Sequence, residues 1–191
     1  MQPFGLTITT APAVEPLTAA EAKARLRITV TDEDTDIGTL ITQARELAEA
    51  ECGRAFVTQA LTMRFDDFPR GPDRAIYVPR PPLQSVSWVK YYDAAGSQQT
   101  HSADGYHVAT LGEPGRILPV DGGVWPAVDY GRPEAVEVKF VCGYGVAASV
   151  PAAAKAAILL IMAALREDPT KATLPPAARR LLDTLEYGQV G

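Results

Sequence analysis

Histidine and cysteine are scarce in this chain, with two of each among 191 residues. These side chains most often serve as general bases and metal ligands near neutral pH. His101 and His107 stand six apart with Asp104-Gly105 between them, which predicts that they lie on separate segments. Cys52 and Cys142 are single, and no CxxC or HxxxH spacing occurs, so neither a metal nor a cofactor site is expected. The opening MQPFGLTITT has no basic start and no apolar run, so no cleaved leader is expected and the two thiols are read as reduced and buried. An excess of basic charge is also lacking. Eighteen Lys and Arg against 23 Asp and Glu give a net charge of −5. That argues against avid nucleic-acid binding through a strongly basic surface. The most apolar run, Ala152 to Leu165, spans fourteen residues and includes Lys155, too short to cross a bilayer.

What remains is the composition of an ordinary folded protein, 47% hydrophobic and 21% charged, long enough for one domain or two small ones. The negative charge is concentrated. From Glu15 to Glu51 there are four basic and nine acidic residues, and the rest of the chain nets zero. Thr18-Ala19-Ala20-Glu21 has capping-box form and predicts a short helix to about Arg27. Thr31 or Asp32 is placed to cap a second helix. Along that helix Ile37, Leu40, Ile41, Ala44, Leu47 and Ala48 recur at helical spacing, and Gly53 is placed to end it in a left-handed conformation.

From Thr58 to Cys142 the pattern turns to short β-prone runs separated by Gly, Pro and Asp clusters, which predicts a small antiparallel β unit. Within it Asp93-Ala94-Ala95-Gly96 reads as a turn. Pro79-Arg80-Pro81-Pro82 is expected to make a rigid extended rod before the strand SVSWVKYY. Pro151 opens another helix, apolar on nearly every side, that must be covered by its own domain or by neighbouring subunits. After DPTKATLPP an amphipathic tail helix is expected, detached from the rest. The fold class is therefore α+β, a helical bundle with an inserted antiparallel β domain and a C-terminal tail helix. The boundaries are 1–57 for the N-terminal helical part, 58–145 for the β domain, 146–167 for the core helix and 168–191 for the tail.

Catalytic patterns fail one by one. Asp66 and Asp67 are adjacent, so on a strand they would point to opposite faces, the wrong arrangement for an acid–base pair. Gly143-Tyr144-Gly145 lacks the spacing and the lysine of a phosphate loop. Ser85, Ser87 and Ser102 occupy no nucleophile elbow. No enzyme is expected. Trp88, Tyr91 and Tyr92 would support an alternative reading, a carbohydrate- or host-binding module, although strand aromatics more often pack in cores and cross-strand pairs.

An ordered set of segments carries a resemblance. It runs through PLTAAEAKARLRI, then LITQARELAEAECGRAFVTQALTMRFDDFP, then VPRPPLQSVSWVKYYDAAG. GYHV, GRI and WP follow, and it closes with VEVKFVCGYG and VPAAAKAAILLIMAAL. Across Pro16 to Leu165 the chain resembles the head–tail connector (adaptor) proteins of long-tailed phages and phage-like gene transfer agents. The resemblance implies a structural virion protein, made in the bacterial cytoplasm and placed at the head–tail junction. It implies a ring, twelve-fold like the portal, that extends the DNA channel without sequence-specific binding. The implied partners are further copies of the chain, the portal protein and the next connector or stopper protein, with no membrane. On this reading Ile158, Ile161, Leu165, Arg179, Arg180, Leu181, Leu182 and Leu185 are the expected subunit or portal interface. Pro79, Pro81 and Pro82 are the expected domain-orienting linker.

Overall fold

In the computed structural model, which describes residues 5–29, 34–70, 72–168 and 174–186, the chain folds as two units. One comprises Pro12–Thr58 and Tyr144–Gly191, the other Met1–Ala11 and Gln59–Gly143. The described residues hold four α-helices and two antiparallel sheets, an α+β fold.

The helical unit begins with α1 (Ala19–Leu26). The Thr18 hydroxyl accepts from the Glu21 amide at 3.1 Å while the Glu21 carboxylate accepts from the Thr18 amide at 2.8 Å. Both halves of the capping box are therefore formed, and the Thr18 amide and hydroxyl, both donating to the Glu21 carboxylate, hold it below its usual pKa. α2 (Asp34–Cys52) turns Ile37, Ile41, Ala44 and Ala48 inward and stops at Gly53, whose φ of 67° is left-handed. The expected cap at Thr31 or Asp32 lies outside the described residues. α3 (Ala152–Glu167) buries Ala154, Ala157, Ile158, Ile161 and Met162. α4 (Pro176–Asp183) starts on a proline, whose missing amide costs nothing at that position. It is not detached. Ala178 and Leu182 are fully buried in one cluster with Ile41, Phe56 and Ile158, because a two-turn helix with one apolar side lowers its free energy only by burying it.

The β unit has a five-stranded sheet in the order β1 (Gly5–Thr10), β2 (Gln59–Phe65), β8 (Val136–Cys142), β4 (Leu83–Tyr92), β5 (Gln98–His101). A three-stranded sheet is ordered β3 (Ile76–Val78), β7 (Gly115–Pro119), β6 (Tyr106–Ala109). β1 corrects the boundary drawn around residues 1–57. GLTITT is a strand rather than part of the helical unit, and it pairs with β2 from Gly5↔Arg64 to Thr10↔Ala60. β8 shows period-two burial, with Val136, Val138, Phe140 and Cys142 inward and Glu137, Lys139 and Val141 half-buried on the other face. The turn at Asp93 forms as read. The Asp93 carboxylate accepts from the Ala95 and Ser97 amides at 3.0 Å each, and Gly96 takes φ 77°.

Pro79 to Pro82 is a bend, not an extended rod. Arg80 has φ 61° and the Pro81–Pro82 bond is cis. The segment carries the chain from β3 in one sheet to β4 in the other. Its three prolines therefore lie inside the β unit.

Candidate assembly surfaces

The helical unit places the expected interface residues unevenly. Ile158, Ile161 and Leu182 are 0%, 2% and 0% exposed, so they hold their own unit together and offer a neighbour no surface. Leu165, Leu181 and Leu185 are half-buried against the same cluster. Arg179 lies on the outside but is bonded to Glu51 at 2.6 Å, tying α4 to α2. Arg180 is exposed. A second tie to the chain just after α4 comes from Arg54, whose Nε donates to the Leu185 carbonyl.

The exposed side of α3 is the side that sequence periodicity did not single out. Ala152, Leu160 and Ala163 are exposed, and Ala156 between them is half-buried. They recur at four, four and three residues and so share one helix face. The helix is apolar almost all round, and its own unit covers only one side of it.

The same unit holds a buried ionic group that its sequence does not announce. Arg45, 3% exposed, donates to Glu15 at 2.8 Å and to Glu49 at 2.9 Å. Glu15 also accepts from Thr42 Oγ1 at 2.9 Å, and Glu49, 5% exposed, accepts from the Phe56 amide at 2.6 Å. Burial alone would disfavour the Arg45 charge, but its bonds to Glu15 and the field of Glu49 outweigh that and raise its pKa. The group pins Glu15, α2 and the chain after α2 to one another. The i,i+4 spacing of Arg45 and Glu49 was visible in the sequence; their burial was not.

In the β unit the aromatic residues divide between two faces of β4. Tyr91 packs edge-on against Phe68 at 5.7 Å and His101 at 6.3 Å, within a cluster in which Phe68 stacks on Trp125 at 4.9 Å. Trp88 and Tyr92 lie on the opposite face, each covered by a cation. Lys90 Nζ is 4.8 Å from the Trp88 ring and the Arg132 guanidinium is 3.5 Å from that of Tyr92. The three residues of the glycan reading therefore make no shared platform. Desolvation lowers the pKa of His101, whose ring faces Tyr91, Tyr106 and Trp125. Asp66 and Asp67 follow β2. Asp66 accepts from the Glu134 amide at 2.8 Å and Asp67 pairs with Arg70 at 2.9 Å.

Cys52 and Cys142 are buried and not joined in a disulfide, and desolvation pushes the Cys52 thiol up. No group of three or more potential metal ligands is found among the described residues, nor is any described helix long and apolar enough to cross a membrane.

These features define a chain whose notable surfaces are suited to packing. Comparison with solved structures finds the same fold in components of one kind of particle. The chain aligns with a chain from the neck of an empty gene transfer agent (GTA) particle computed with C6 symmetry, at TM-score 0.77 and 21% identity. The alignment covers 98% of this chain and 97% of that one. A chain from the neck of a native GTA particle computed with C12 symmetry aligns at TM-score 0.74 and 20% identity, over 98% and 97%. A chain from the virion of a native GTA particle aligns at 0.73 and 22%, over 97% and 96%. No protein-family model and no curated protein matches the sequence.

Proposed function

We propose that this chain is a non-enzymatic head–tail connector of a tailed-phage-like or gene-transfer-agent particle, working as a ring seated beneath the portal. The observation that carries the reading is a fold likeness extending over at least 96% of both chains in each comparison with GTA neck and virion components. A likeness over whole chains supports a shared architectural role better than one shared domain does. C6 is a subgroup of C12, so both symmetries used for those necks suit a ring of twelve. The apolar outward side of α3, centred on Leu160, gives the ring a surface to cover. Arg180, with the accessible parts of Leu165, Leu181 and Leu185, gives the portal or the next ring a mixed surface at α4.

On this account the chain extends the DNA channel and joins it to a stopper or tail protein. Its net charge of −5 suits a conduit that phosphate does not adhere to. The Pro79, Pro81 and Pro82 bend stiffens the β unit so that identical copies close on one another. The test is to add the protein to portal-bearing particles and image their outer vertex. A ring of this chain at the portal is expected; particles that never recruit it overturn the proposal.

A further inference from the structure

A ring built from one kind of subunit needs two different surfaces on each copy, because a head-to-tail contact joins unlike patches. Two patches of opposite charge stand on different units of this chain. One is the outer face of the five-stranded sheet. Pairing places Lys90 and Arg64 on either side of Glu137, and Lys139 directly opposite Trp88. Arg132 reaches the same face by lying over Tyr92. Arg64 bonds Glu137 at 2.7 Å and also feels the field of Glu134. Lys90, Lys139 and Arg132 have no carboxylate within ion-pair distance among the described residues. In a chain of net charge −5 this face keeps an excess of positive charge around two half-buried aromatic rings.

The other patch is the outward side of α2, where Asp36, Thr39, Gln43, Glu46 and Ala50 are exposed. The single cation of α2, Arg45, is buried and reaches Glu46 at 3.5 Å, but it is shared with Glu15 and Glu49, so this side keeps an excess of negative charge. Asp36 and Glu46 stand about 15 Å apart along the axis at 1.5 Å per residue. Three neighbouring strands span about 10 Å, the width of one helix.

Resting on the ring reading, we propose that the outer sheet face of one copy receives the acidic side of α2 from a second copy. Lys90 and Lys139 meet Asp36 and Glu46, with Lys90 reaching across the Trp88 ring that it covers. The net charge of −5 over the whole chain disfavours the rival occupant, a nucleic-acid backbone.

The test uses two full-length variants, Lys90→Glu/Lys139→Glu and Asp36→Lys/Glu46→Lys, assembled on portal-bearing particles. Each alone loses ring formation by about tenfold or more, as charge mismatch across an interface demands. Their equimolar mixture restores it, because every contact in an alternating ring then joins opposite charges. Rings from either variant alone, or no recovery in the mixture, overturn the proposal while leaving the ring reading intact. Should the wild type form no ring, the ring reading falls separately. Zero-length carbodiimide coupling of the free chain then decides this contact. Amide links from Lys90 or Lys139 to Asp36 or Glu46 of another copy support it, and their absence overturns it. Duplex DNA binding that Lys90→Glu/Lys139→Glu abolishes, without interchain links, overturns it in favour of nucleic acid.

Discussion

Single residues set tight limits in the β unit. A Cβ on Gly115 would lie 2.6 Å from both Cβ and Cδ2 of Leu83, so β7 approaches β4 more closely than any side chain permits. Leu83 Cβ cannot rotate away, and Gly115→Ala is expected to cost about 1–3 kcal/mol by overpacking. Urea unfolding monitored by Trp fluorescence checks this, and an unchanged midpoint would refute the close approach. His101 sets a pH limit. Its folded-state pKa lies below the ordinary 6.5, so the unfolded chain binds the proton more readily. That contribution is complete above the unfolded value and is lost as pH falls from about 6.5 toward the folded one. Between pH 7.5 and 5.5 the wild-type melting temperature should fall more than that of His101→Gln; parallel curves would show that the ring titrates as if in water. In the helical unit, Arg45→Leu removes a buried cation that Glu15 and Glu49 share and is expected to cost about 3–5 kcal/mol. Arg45→Leu/Glu49→Leu should cost less than the two single changes added together, and chemical denaturation of the four proteins measures the difference.

At the scale of elements, α3 has two sides that answer differently to the same change. Ile158→Asp buries a charge without a partner and should destabilise the fold by several kcal/mol. Leu160→Asp, on the side that is 37% exposed, should leave the melting temperature nearly unchanged and lower ring occupancy on particles. The reverse pattern would mean that the helix is turned the other way. The contrast also marks what was legible beforehand. Thr18 and Glu21, Gly53 and the Asp93–Gly96 turn were readable because their bonds are local and their chemistry is specific to those positions. Local rules could not say which side of an almost wholly apolar helix faces its own core. They also missed β1 and β5. GLTITT and QQTH are short edge strands with one partner each, and their exposure removes the alternation that reveals a strand. α4 looked detached because the contacts that hold it, Arg179 to Glu51 and Arg54 to Leu185, span more than a hundred residues. The proline segment misled for a related reason, since tertiary demand for a change of sheet overrode the extended preference of each residue.

For the whole molecule, the candidate site is an arrangement of surfaces, and fold and site were not equally legible in the sequence. The resemblance in ordered segments pointed to the kind of particle whose neck chains share this fold. It named interface residues by helix and hydrophobicity, and these divide into a buried set and an accessible set only once the packing is known. The central claim is that copies of this chain close into a ring at the portal. Imaging portal-bearing particles with and without the protein tests it most directly. The account predicts a closed ring of copies at the portal's outer end, with the Leu160 side of α3 covered by a neighbour. Particles whose neck is identical with and without the protein would contradict it, as would density for the chain found only at another site on the particle.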